Sequence, residues 1–211
     1  MQDVVAVDLF RSLPIVSLKS WADSFNRTTE NKQTKNILMG YSLGGRLALH
    51  ALLQNPAQWS AAILISTHLG LVSQEEKTQR LESDKHWAKR FESEPWEQLM
   101  REWNGQSAFH SGTFSFERQE RDYQRSDLSA ALEHWSLGTQ NELADTLSKV
   151  NAPVCWMTGA NDQKYVEQAN RVILRHPLSR KYTVQDAGHR MPWEQKKNFI
   201  KNVEQFLEQI T

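Results

Sequence analysis

Lys35-Asn36-Ile37-Leu38-Met39-Gly40-Tyr41-Ser42-Leu43-Gly44-Gly45-Arg46 decides the reading of this chain. The apolar run up to Met39 predicts a buried strand, and Gly40 stops it. From about Gly45 the pattern changes to a helical one, with Leu47, Ala48, Ala51 and Leu52 on one face and Asn55-Pro56 at its end. Between strand and helix stands Gly40-Tyr41-Ser42-Leu43-Gly44, a G-x-S-x-G motif. A serine at such a turn carries its hydroxyl above the sheet, while flanking glycines keep β-carbons out of a sharp bend. The helix that follows directs its N-terminus at the same spot, which favours developing negative charge. Leu43 N–H is then the natural oxyanion donor.

Working outward, the chain alternates apolar strands with helices. Strands are predicted at Val4–Val7, at Ala61–Ser66, at Val154–Met157 and, short, at Tyr182–Gln185. Helices are predicted from Lys164 to Arg175 and from about Trp193 to Gln209. Such alternation implies a mostly parallel sheet covered on both faces, an α/β fold, and with the serine elbow at a strand end the chain resembles the α/β hydrolases. The rhythm breaks from His68 to about Gln140, where the sequence is charged, Trp-containing and helical. Ser73-Gln74-Glu75-Glu76 opens one helix as a capping box, and Ser93-Glu94-Pro95 opens another with proline in the first turn. We therefore expect a core of residues 1–67 and 141–211 and a helical lid at 68–140.

A serine nucleophile or base needs an imidazole, and the imidazole needs a carboxylate to orient it. In this fold the partners follow in the order serine, acid, histidine. Asp162 lies in the loop after the strand ending at Gly159, and His189 in Ala187-Gly188-His189 after the last strand. Both loops open at the sheet edge that carries Ser42. Asp186 and Asp145 are less suitably placed. His68 follows the third strand and can face the pocket, but as a base it would break the order. No His, Cys and carboxylate spacing suggests a metal.

The bulk composition narrows the partners. Lys plus Arg and Asp plus Glu balance at 25 each over 211 residues, so no overall field recruits nucleic acid or an anionic membrane. Short apolar runs offer no membrane span, and the first residues lack the pattern of a secretory signal. The single Cys155 has no internal partner. A cytoplasmic protein acting on a small molecule is expected, with no cofactor and an oligomeric state left open.

Beyond the elbow, the chain resembles the α/β-hydrolase-fold lyases of menaquinone biosynthesis, the 2-succinyl-6-hydroxy-2,4-cyclohexadiene-1-carboxylate synthases. The resemblance rests on Gly40–Arg46, His68-Leu69-Gly70-Leu71, Arg80, Ser83–Phe91, Glu94-Pro95, Ser136-Leu137-Gly138, Gly159–Tyr165 and Ala187-Gly188-His189. It implies that the triad serine acts as a base whose proton abstraction releases pyruvate and leaves a cyclohexadiene ring. It further implies that the polycarboxylate substrate meets Arg46 and Arg80, with Arg121, or alternatively Arg125, as a third cation. Tyr41, Trp103 and Phe109 are implied as pocket walls. The chain departs from the family after Asp8-Leu9, where Phe10-Arg11-Ser12 replaces Pro-Gly-His-Gly. Family members also carry earlier strands and a His-Gly loop with a second oxyanion donor, so N-terminal strands are expected to be missing here. Two rivals follow: a serine esterase or thioesterase using the same triad, and a catalytically weak or silent hydrolase-fold chain.

Overall fold

In a computed structural model the structure describes residues 4–30, 36–106 and 116–210. Four parallel strands form one sheet in the order β1-β2-β3-β4: Asn36–Tyr41, Trp59–Ile65, Val154–Gly159 and Arg180–Val184. Parallel neighbours require crossovers, and helices supply them. The described helices are α1 (Leu18–Thr29), α2 (Leu43–Gln54), α3 (Gln74–Ser93), α4 (Trp96–Asn104), α5 (Arg125–His134), α6 (Ala144–Leu147), α7 (Gln163–Arg171), α8 (Met191–Glu194) and α9 (Lys196–Ile210); α2 to α7 lie in the crossovers, α1 precedes β1, and α8 and α9 follow β4.

The two-residue period of the strands divides the core into two layers. Leu38, Ala62, Leu64, Val154 and Trp156 face one side, where they pack with Trp21 and Phe25 of α1 and Leu47, Ala51 and Leu52 of α2. Ala61, Ile63, Ile65, Cys155 and Met157 face the other, against Met191 of α8 and Phe206 of α9. Both faces are thus covered, which is why β3 is buried along its whole length.

Between β2 and β3 the described residues contain no strand. Here α3, α4 and α5 gather a third apolar cluster around Phe91, Trp96, Leu99 and Met100. Ser73 caps α3 through its side chain, which accepts from Glu76 N, as the capping-box reading requires. Pro95 sits one position earlier than expected, as the N-cap residue of α4 rather than within its first turn.

Two expectations fail. Residues 4–7 are not a buried strand: they have no strand assignment, and Val4 and Val5 are 91% and 83% exposed. β-branched residues supply the propensity to extend, but a strand also needs a paired neighbour and a face to bury. Conversely, α1 went unread. Its signal was present in Leu18, Trp21, Ala22 and Phe25, spaced for one helical face, behind the Ser17 cap.

Candidate active site

The turn from β1 into α2 is tighter than the motif alone requires. Ser42 has φ 53° and ψ −112°, a left-handed conformation rare for a residue with a side chain. A β-carbon on Gly40 would lie 2.4 Å from Gly44 O, and one on Gly45 only 2.0 Å from Thr67 Oγ1. Gly44, the last glycine of the motif, would meet nothing closer than 3.7 Å. The close approaches therefore fall at Gly40 and Gly45, and Gly45 lies outside the five-residue pattern. Helix α2 starts at Leu43, two residues earlier than the sequence suggested, so the Leu43 amide belongs to the first turn, where intrahelical acceptors are lacking.

Two further strand ends meet this elbow. Asp162 is the residue before α7, directly after β3, and His189 lies in the loop between β4 and α8. These loops are laced together by Ala160 N–H to Val184 O and Asn161 N–H to Ala187 O, both 2.8 Å. They approach so closely that a β-carbon on Gly159 would sit 2.2 Å from Gly188 O. The result is a continuous chain: Ser42 Oγ lies 2.9 Å from His189 Nε2, and His189 Nδ1 lies 2.8 Å from Asp162 Oδ2. Asp162 and His189 are 5% and 3% exposed. With Nδ1–H donating to the carboxylate, Nε2 carries the lone pair that accepts the serine hydroxyl.

Ser42 and His189 open into a cavity of about 400 Å³. Its ionisable wall is unbalanced: among the described residues, Arg46, Arg80 and Lys164 face it against the single carboxylate of Asp84. Arg46 is buried and tied down, donating to Gln140 Oε1 at 3.1 Å and Trp135 O at 2.5 Å. Burial first, and the nearby Arg80 charge second, lower its pKa to about 10, which leaves it cationic at neutral pH. Arg80 donates through Nε to Asp84 Oδ2 at 2.8 Å, and buried Asp84 also accepts from Ser136 Oγ at 2.7 Å. Lys164 stands in the first turn of α7, at the positive end of the helix. Its pKa is lowered by desolvation and then by Arg80. No hydrogen-bond or ion-pair partner holds its ammonium among the described residues. The charges of Asp162, Glu76 and Asp84 offset part of the lowering of its pKa.

The other expected residues divide. Trp103 lines the cavity, held edge-on against Trp87 and Phe91 with ring centroids 5.0 and 5.2 Å away. Tyr41 does not line it. As an odd-numbered strand residue it turns to the α8–α9 layer, packing behind His189 and on Trp193 at 5.5 and 5.0 Å. Burial raises its phenol pKa. Phe109 lies outside the described residues. Arg121 is on the surface with its side chain 81% exposed, beside Asp122, and is not a cavity residue. Arg125 is not one either: it donates to Glu120 Oε1 and to the carbonyls of Phe91 and Glu94, closing the C-terminal end of α3. The sequence reading gave no site role to Lys164 or Tyr165, although both fall in the Gly159–Tyr165 stretch that carries the resemblance; the Tyr165 ring lies 4.4 Å from that of His189 inside the cavity.

A parallel sheet with helices on both faces, a serine on a strained strand-to-helix turn and an acid and histidine on the next strand ends together define an α/β hydrolase. The chain belongs to that superfamily, and residues 18–191 match the family described as serine aminopeptidase, S33. Among curated relatives it is 36% identical over 166 residues to a 2-succinyl-6-hydroxy-2,4-cyclohexadiene-1-carboxylate synthase of Photorhabdus laumondii, covering 76% of this chain and 58% of the relative. It is 32% identical over 175 residues to the synthase of Escherichia coli O7:K1, covering 81% of this chain and 67% of that one. The chain thus spans about three fifths to two thirds of the length of these two relatives. Among solved structures, MenH from S. aureus superposes with a TM-score of 0.79 at 23% identity, covering 99% of this chain and 79% of the other.

Proposed function

We propose that this chain carries the active site of a lyase that eliminates pyruvate from a polycarboxylate cyclohexene intermediate of menaquinone biosynthesis. The observation that carries the reading is the pairing of a Ser–His–Asp chain with a cavity wall of three cations and one carboxylate. An esterase for neutral substrates has no use for two uncompensated positive charges in a partly desolvated pocket. A substrate with several carboxylates does.

In this reading Ser42 is a base rather than an acyl acceptor. Its Oγ takes a proton from a ring carbon while its own hydroxyl proton passes to His189 Nε2. The electron pair left on that carbon becomes a ring double bond and expels the enolate of pyruvate with its C–O bond. Ser42 then passes its hydroxyl proton to the released enolate, which becomes pyruvate, while His189 returns its proton to Ser42 Oγ and the triad is restored. Asp162 keeps the imidazole in the accepting tautomer and stabilises the imidazolium. Leu43 N–H faces the charge that develops on the substrate oxygen. Arg46, Arg80 and Lys164 hold the carboxylates, Trp103 and Tyr165 form the apolar wall, and helices α3 to α5 close over the cavity as a lid. The relatives' names support this assignment.

The competing activity is acyl transfer, since the same serine could attack an ester carbonyl. Two assays on one preparation decide: pyruvate release from the pyruvate-bearing precursor of the cyclohexadiene carboxylate, and hydrolysis of a neutral p-nitrophenyl ester. The proposal requires the first to dominate and to fall far more than the second in Arg80→Ala. Efficient ester hydrolysis with no pyruvate release would replace the lyase by an esterase.

A further inference from the structure

His68 follows β2, in the loop that faces the cavity, and the triad leaves it unused. It is 3% exposed, yet its ring lines the cavity beside Ser42 and His189. Gly70 N–H donates to its Nδ1 at 3.0 Å. A nitrogen that accepts a backbone amide cannot itself carry a proton, so in this geometry the ring is neutral and the proton is on Nε2. Nε2–H has no hydrogen-bond partner among the described residues. This nitrogen is not among the buried polar atoms left without a partner; it opens to the cavity, where an incoming oxygen can accept from it.

The surroundings hold both the position and the charge state of the ring. Gln140 donates from Nε2 to the His68 carbonyl at 3.0 Å, while its Oε1 accepts from Arg46, so His68 and Arg46 share one bridging side chain. Leu69 is pinned on both polar groups, its N–H to Gln168 Oε1 and its carbonyl from Leu143 N–H. The His68 ring meets Tyr165 edge-on at 6.0 Å, and Tyr165 in turn packs on His189. Burial, followed by the charges of Lys164, Arg46, Arg80 and Arg171, lowers the His68 pKa to about 3. The cations that favour an anionic substrate thus also keep this imidazole uncharged.

We propose that His68 is a specificity-determining residue: its Nε2–H donates a hydrogen bond to an oxygen of the bound polycarboxylate, beside the contacts made by Arg46 and Arg80. This rests on the polycarboxylate reading of the site. A neutral donor adds direction to a pocket whose cations supply mainly charge. Its strength does not change with protonation across the neutral range, because the ring does not titrate there.

The test compares His68→Leu with His68→Gln, whose side-chain amide can place an N–H near the position of Nε2. For each, melting temperature, kcat and KM are measured for pyruvate release, with neutral ester hydrolysis as the reference reaction. Relative to that reference, His68→Leu is expected to lose roughly 10- to 100-fold in kcat/KM for the polycarboxylate. His68→Gln is expected to recover most of that loss. Equal decline of both reactions, or no recovery with Gln in a stably folded variant, would overturn the proposal in favour of a structural role.

Absence of pyruvate release from the wild-type chain would instead sink the lyase reading. His68 is then tested separately, by NMR of ¹⁵N-histidine-labelled wild-type protein titrated with tricarballylate as a polycarboxylate probe. A shift of the His68 Nε2–H resonance on titration supports the donor. A resonance unmoved at saturating probe, or an Nδ1-protonated ring, overturns it.

Discussion

Replacing Gly159 by alanine should disable the site without changing any side chain in it. The new β-carbon would lie 2.2 Å from Gly188 O and 2.4 Å from Ala187 O, whereas carbon and oxygen approach no closer than roughly 3.3 Å in close backbone contacts. Both obstacles are backbone, so no side chain can swing aside, and the two loops must part by about 1 Å. One loop leads straight into His189, and the other reaches Asp162 three residues after Gly159. Opening the gap stretches the 2.8 Å contact between His189 Nδ1 and Asp162 Oδ2, or the 2.9 Å contact to Ser42, out of hydrogen-bonding range. A displacement of that size at reacting groups costs roughly 10²-fold in rate. Overpacking should cost about 1–3 kcal/mol of stability. The measurement is kcat under saturating substrate, well below the variant's melting temperature and normalised to folded protein. KM should change less than kcat, because Arg46 and Arg80 stand on α2 and α3, away from the parted loops. In an Asp162→Asn background the same substitution should cost much less, since both act through the orientation of His189. A kcat within twofold of wild type, with an unchanged melting temperature, would refute the claim that the close approach at Gly159 sets the geometry.

Lys164→Ala should cut kcat/KM for the polycarboxylate by roughly tenfold or more, while raising thermal stability slightly, because it removes a desolvated cation beside Arg80 at a helix N-terminus. Steady-state kinetics and a thermal melt read the two opposite signs. Arg121→Ala should leave both turnover and stability within about 0.5 kcal/mol of wild type, whereas Arg125→Ala should cost about 1–2 kcal/mol by freeing the carbonyls of Phe91 and Glu94; denaturant titration distinguishes them. The folded-state pKa of His68 lies near 3 against 6.5 in an open chain, so below pH 6.5 the unfolded state binds the proton first. Stability should therefore fall as pH drops from 6.5 towards 3, and that part of the acid slope should be absent in His68→Leu when urea unfolding is followed across the range.

The parts of this molecule legible in the sequence are those fixed by local pattern and chain order. The runs at Ile37–Met39, Ala61–Ile65 and Val154–Met157 are apolar, short and followed by turn residues, so they could be read as buried parallel strands. Once Ser42 was placed at a strand end, the order of loops singled out Asp162 and His189, which lie in one hydrogen-bonded chain with it. Val4–Val7 was misread because propensity does not reveal whether a neighbour pairs with it. The third cation was sought in the lid, at Arg121 or Arg125, but contacts between distant segments decide which charges face inward. Arg125 is consumed by the end of α3, and Lys164 fills the cavity wall from the far side of the sheet edge. Tyr41 was placed in the pocket by the family resemblance, whereas strand alternation sends its side chain to the opposite layer. Gly159 depends on an approach between segments far apart in the chain, and the tautomer of His68 on a turn that brings the Gly70 amide back to its ring, a detail that the strand and helix periodicities do not encode.

The central claim is that Ser42 acts as the base in a pyruvate-releasing elimination. Its most direct test is continuous detection of pyruvate from the polycarboxylate precursor, using wild-type chain and Ser42→Ala at equal folded concentration. The account predicts pyruvate release by the wild type in step with formation of the cyclohexadiene product, and a loss of roughly 10³-fold or more in Ser42→Ala. Pyruvate release at the wild-type rate from Ser42→Ala would contradict it.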